Sequence, residues 1–87
     1  MKMEEEIRKK IQEKIKNKAV FIGLNSTLRG IENGEVELVV YASNVSESIK
    51  NELSESKVKL YAYDGDNEAL SIACGKSFNI SVLGLKK

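Results

Sequence analysis

The residues best placed for ligand chemistry lie between Gly23 and Asn44, in GLNSTLRGIENGEVELVVYASN. A helix starting near Asn25 or Ser26 presents unpaired backbone amides, and such a helix end attracts phosphate. Asn25 carries both a donor and an acceptor for a base edge. Arg29 follows four residues later, on the same helical face and one turn away. Together they can hold a nucleic-acid backbone with the guanidinium while the carboxamide reads a groove. Each also has a plainer role, Asn25 as a helix cap and Arg29 as a solubilising charge; spacing alone does not separate these. A second candidate is the turn Tyr63-Asp64-Gly65-Asp66-Asn67, with Glu68 after it. Parallel strands bring the loops that follow them to one sheet edge, which would set Gly23 beside this turn. Its carboxylates repel phosphate, so it suits groove or base groups better than a broad phosphate cradle.

Other chemistries find little support. There is no histidine, Cys74 stands alone, and Asp64-Gly65-Asp66-Asn67-Glu68 lacks the spacing of a calcium loop, so no metal is expected. Cys74 has no histidine to activate it and precedes a glycine, which makes it a small packing residue. Asp64, Asp66 and Glu68 could share protons, but a glycine turn fanning them into water explains them better. Gly23 to Gly30 lacks the glycine spacing and lysine of the nucleotide-binding fingerprints. No cofactor is expected.

The elements that must position these residues alternate. Met3, Ile7, Ile11 and Ile15 recur every four residues and predict a helix over 4–17. Residues 19–22 read as a short strand ended by Gly23. The second helix turns Leu28 and Ile31 inward and stops at Asn33-Gly34, both of which tolerate left-handed angles. The run over 36–42 is continuous enough to be a strand covered on both faces. Ser43 to Ser46 offers several caps for a third helix with Ile49 and Leu53 inward. Residues 58–63 alternate with period two as a third strand. A helix over 68–74 with Leu70 and Ala73 inward, stopped by Gly75, leads to a last strand over 80–85. Helix and strand thus alternate four times with short connections, the pattern of a three-layer α/β/α sandwich.

Eighty-seven residues, 41% hydrophobic and 31% charged, are expected to form one domain over 1–87. A single cysteine, a charged start and no apolar run of spanning length point to the cytoplasm and away from a membrane. The net charge of +1 is uneven: residues 1–29 carry eight Lys/Arg against four Glu, and the remainder is net acidic. Such polarity can orient a small protein toward a polyanion, and a solvated first helix explains it equally well.

Several words in this order resemble the ribosomal protein thirty-e family of archaea and eukaryotes. These are Val20-Phe21-Ile22-Gly23, Thr27-Leu28-Arg29, Asn33-Gly34 and the run from Leu38 to Asn44. The likeness resumes at Tyr63 to Asn67, Ala73-Cys74-Gly75-Lys76 and Ser81 to Leu85. That family lies in the kink-turn RNA-binding superfamily, which also holds ribosomal protein seven-Ae. The resemblance implies a mixed four-stranded sheet and RNA binding without catalysis. It implies that the second helix start and the loop before the fourth helix enter a sharply bent RNA internal loop.

By position, Asn25 falls on the asparagine of the seven-Ae branch and Arg29 on its lysine, with Gly23 and Ser26 beside them. Ser43 and Asn44 match residues ending the second strand. Tyr63, Asp64, Gly65, Asp66, Asn67 and Glu68 match the loop that lies against a flipped base. Two departures stand out. Ser26 replaces a glutamate that accepts from guanine, and it is shorter and uncharged. The helix between Asn44 and Val58 is about a turn shorter than usual, and the recognition loop is unusually acidic. The resemblance implies structured RNA, above all ribosomal RNA, as partner, with ribonucleoprotein neighbours, a monomer when free, and ribosome association. A protein-interaction subunit that has lost RNA recognition is the alternative. A small enzyme is weaker, because no nucleophile is paired with a base.

Overall fold

The computed structural model describes residues 2–56 and 58–87, with side chains from residue 5 onward. Helix and strand alternate as read from the sequence: α1 Lys2–Lys16, β1 Val20–Ile22, α2 Leu24–Glu32, β2 Val36–Tyr41, α3 Glu47–Ser54, β3 Lys59–Ala62, α4 Asn67–Ala73 and β4 Val82–Lys86. The stripe on α1 is its core face, with Ile7 and Ile11 buried and Ile15 packed against the same cluster. The Met3 side chain, first of the expected stripe, lies outside the described residues.

The strand order is β1-β4-β2-β3. β4 is antiparallel to both β1 and β2, whereas β2 and β3 are parallel. β1, β2 and β3 therefore all point one way, and the sheet is mixed. β2 shows why one side of the sheet differs from the other. Leu38, Val40 and Ala42 join the cluster under α1 and α4, while Val39 and Tyr41 join that of α2 and α3. Two hydrophobic layers thus sandwich the sheet between helix pairs. A register shift between Val36 and Leu38 lets Val36 join the α2–α3 side against simple alternation.

Two glycines set how closely α2 approaches the sheet. A Cβ on Gly30 would stand 2.5 Å from the Phe21 ring, and one on Gly84 would stand 3.0 Å from Thr27. Thr27 itself is fully buried and donates from Oγ1 to the Phe21 carbonyl at 3.3 Å. The hydroxyl is thereby satisfied inside the core.

Helix ends differ in part from expectation. Neither Asn25 nor Ser26 caps α2; Gly23 does, with φ 94° and no side-chain cap. That angle suits glycine and moves the helix start back to Leu24. At the other end Asn33 keeps φ −87°, and only Gly34 turns positive, at 69°. Ser46 caps α3 by accepting from the Ile49 amide at 3.4 Å. Cys74 is buried, and that burial pushes its thiol up to about 11, as fits an unreactive packing residue.

Candidate nucleic-acid interface

Because β1, β2 and β3 run the same way, the loops after them meet at one sheet edge, together with the start of β4. Backbone bonds trace this edge. The Gly23 amide donates to Val82 O at 2.9 Å, Ala42 to Ser81 O at 2.8 Å, and Ser43 to Gly65 O at 2.8 Å. Three strand spacings separate β1 from β3, so the edge is about 14 Å wide. Gly23 and the turn at Gly65 share this edge but are not neighbours as expected, because β4 and β2 stand between β1 and β3; Ser43 is the residue beside Gly65.

At the β1 end, α2 opens directly toward solvent. Its first intrahelical backbone bond runs from the Thr27 amide to Gly23 O at 3.1 Å. The amides of Leu24, Asn25 and Ser26 before it have no backbone partner among the described residues. Asn25, Ser26 and Arg29 are exposed, and their side chains make no hydrogen bond or ion pair with another described residue. Asn25 thus offers its whole carboxamide to a ligand because Gly23, and not Asn25, ends the helix.

At the β3 end the candidates divide. Asn44 accepts from the Asn67 amide through Oδ1 at 3.1 Å and donates from Nδ2 to Asn67 Oδ1 at 3.3 Å. These two asparagines latch the loop after β2 to the start of α4. Asp66 caps α4, accepting from the Ala69 amide at 2.9 Å. Asp64 and Glu68 are exposed beside it. Asn44, Asp66 and Asn67 therefore build the loop, leaving less of their polar capacity for a ligand.

Tyr63 departs from expectation. It is only 4% exposed, packed beneath α1 and α4, because it continues the alternation of β3 on the Tyr61 side. Arg8 Nη2 donates to its hydroxyl at 3.5 Å. Its ring supports the loop from inside and is not presented at the edge.

A residue passed over in the sequence is Phe78, 54% exposed in the segment between α4 and β4. That segment folds back along α4: the Ile80 amide donates to Asn67 O at 3.4 Å, and Ser71 Oγ donates to the carbonyls of Lys76 and Phe78. A half-exposed aromatic ring thus lies along α4, about one turn from the loop edge. The signal in the sequence was a lone phenylalanine between Ser77 and Asn79, outside any periodic run. Among the described residues no group of three metal-ligating side chains occurs, and no helix is long and apolar enough to cross a membrane.

Comparisons with known proteins agree with this architecture. Residues 5–87 match the model of the ribosomal protein L7Ae/L30e/S12e/Gadd45 family. The chain is 35% identical to large ribosomal subunit protein eL30 of Methanosarcina mazei, over 98% of this chain and 82% of that one. It is 32% identical to eL30 of Saccharomyces cerevisiae, over 98% of this chain and 85% of the other. Among solved structures, the 15.5kD RNA binding protein of Giardia lamblia superposes with a TM-score of 0.81. That match has 22% identity and covers 100% of this chain and 76% of the other. At that identity the likeness concerns the fold.

Proposed function

The chain belongs to the ribosomal protein L7Ae/L30e/S12e/Gadd45 family, and from that premise we propose that its loop edge binds a sharply bent RNA internal loop without catalysing a reaction. The observation that carries this reading is the exposed face of α2: three amides and the Asn25 and Ser26 side chains at its start, and Arg29 in its last turn, have no partner among the described residues. Amides at a helix start suit a phosphate or a base carbonyl. Asn25 can pair with a base edge, and Ser26, shorter than a glutamate, donates or accepts a single bond. Across the edge, Phe78 gives an unstacked base an aromatic surface, the usual way single-stranded RNA is held. The Asn44–Asn67 latch fixes the loop between them. Ribosomal RNA is the partner this family membership favours, and the ribosome is the place of action. Residues 1–87 act here as one RNA-binding domain.

Asp64 and Glu68 favour a second reading, in which the edge holds a protein of the same particle, since both carboxylates repel phosphate. Arg29 decides between them. Arg29→Gln is expected to weaken binding to kink-turn RNA about three- to tenfold and to lower the salt slope by about one. An unchanged affinity and slope would remove Arg29 from the RNA contact and favour the protein reading.

A further inference from the structure

The lysines that make the first third of the chain basic do not stand beside Arg29. α1 runs back along the sheet, and the Lys14 ammonium donates to the Lys86 carbonyl at 2.6 Å. Lys86 ends β4, whose first residue, Val82, lies at the RNA edge. A five-residue strand separates those ends by about 13 Å. In a molecule measuring 27 × 26 × 26 Å, Lys14, Lys16, Lys18, Lys86 and Lys87 gather at the corner opposite the edge.

Several features hold this corner in place. The Ala19 amide donates to Lys14 O at 2.7 Å and the Lys86 amide to Ala19 O at 2.9 Å. These bonds tie the end of α1 to the end of β4. The Lys86 ammonium lies 5.3 Å from the centre of the Phe21 ring. Lys18 has φ 57°, the one positive value at a non-glycine residue among those described. Glycine or asparagine adopts that conformation more easily, so a lysine there exposes a cation at some conformational cost. Lys16, Lys18 and Lys87 are exposed.

The surrounding carboxylates leave the corner basic. Glu35 shares a shallow cleft with Lys86 and Lys87, and Glu13 and Glu32 lie at the same end. Five lysines thus face four carboxylates, the fourth being Glu37, which feels the charge of Lys14. Glu37 is already engaged by Lys10 at 2.6 Å. The candidate edge differs in character: Asp64, Asp66 and Glu68 are exposed there, with Arg8 lining a cleft beside Asp64, and Arg29 stands farther along, in the last turn of α2. Lysines are therefore densest at the end of the protein away from the loops.

The geometry points to a second RNA contact at the Lys14–Lys18 and Lys86–Lys87 corner, which holds the phosphate backbone of a duplex segment distinct from the bent loop. The protein would then bridge two RNA segments, an inference that rests on the RNA-binding reading of the edge. The corner offers point charges on flexible stems and no planar fork or aromatic platform for bases. Recognition there is by charge and backbone, without sequence preference.

The test saturates the protein with unlabelled kink-turn RNA and titrates this complex with a labelled straight RNA duplex of about 16 base pairs. The expected result is a ternary complex whose duplex affinity falls about 40-fold from about 50 to 200 mM salt, as for three phosphate contacts. K16E/K18E/K87E is expected to weaken duplex capture at least about tenfold and to leave kink-turn affinity within about twofold. K18G checks that this is not unfolding. It should keep or raise the Tm while weakening duplex capture about two- to threefold. Duplex capture unchanged by K16E/K18E/K87E would overturn the proposal. So would equal losses on both RNAs, or displacement of duplex by polyglutamate as efficient as by unlabelled duplex. Failure of kink-turn binding with lysine-dependent duplex capture intact would instead overturn the edge reading alone.

Discussion

Asn25→Ala is expected to lower affinity for a kink-turn RNA about ten- to a hundredfold while changing affinity for a straight duplex by no more than about twofold. The size follows from what the carboxamide would leave behind. It has no partner within the described protein, so all its hydrogen-bonding capacity is available to RNA. Truncation would strand a base donor and acceptor inside a closed contact, at about 1–3 kcal/mol. Asn25→Ala should cost little stability, because the side chain neither caps α2 nor packs against the sheet. Binding titrations on both RNAs, beside thermal melts, measure these effects together. Equal losses on bent and straight RNA would remove Asn25 from shape recognition.

Leu70→Ala is the substitution expected to hurt the fold most. Leu70 is fully buried on α4, in the cluster with Ile7 and Ile11 of α1 and Leu38, Val40 and Leu83 of the sheet. Removing its branched end leaves a cavity where helix and sheet meet, costing about 2–5 kcal/mol. For a domain of this size that is a fall in Tm of about 10–30 °C. The same helix carries Asn67 and Glu68 in its first turn, so its docking also fixes the loop edge. Well below the new Tm, RNA affinity should fall only if α4 shifts on the sheet. Thermal unfolding followed by circular dichroism gives the first quantity and a cold binding titration the second. A Tm within about 3 °C of the parent would show that α4 tolerates the loss.

The alternation of helix and strand was legible because local periodicity carries it. The spacing of Ile7, Ile11 and Ile15 marks a helical face, and the run around Leu38 to Val40 marks a strand buried on both sides. What joins distant parts of the chain was not legible locally. β4 lies between β1 and β2, and its antiparallel direction depends on pairings such as Val20 with Leu85 and Val40 with Leu83. The mixed sheet came from family resemblance, not from the period of any strand.

The candidate site followed the same division. Asn25, Ser26 and Arg29 were recognisable by type and spacing, and the structure leaves all three exposed on α2, the first two in its first turn and Arg29 in its last. The capping role expected of Asn25 or Ser26 falls to Gly23, whose positive φ its neighbours' side chains do not reveal. Tyr63 matches a recognition position by resemblance, but which side of β3 is covered depends on where α1 and α4 pack. Asn44 and Asn67 are 23 residues apart, so their latch leaves no mark in sequence spacing. Phe78 lies in an irregular segment held by Ser71, and only that fold-back gives its exposure a meaning.

The most direct measurement is binding of the parent protein to a kink-turn RNA and to a straight duplex of equal length, each at low and high salt. The expected result is a preference for the bent RNA that survives at high salt, because Asn25, Ser26 and the open amides read shape where the lysine corner responds to charge. Equal affinities that collapse together as salt rises would contradict recognition at the loop edge and leave the lysines as the protein's whole hold on RNA.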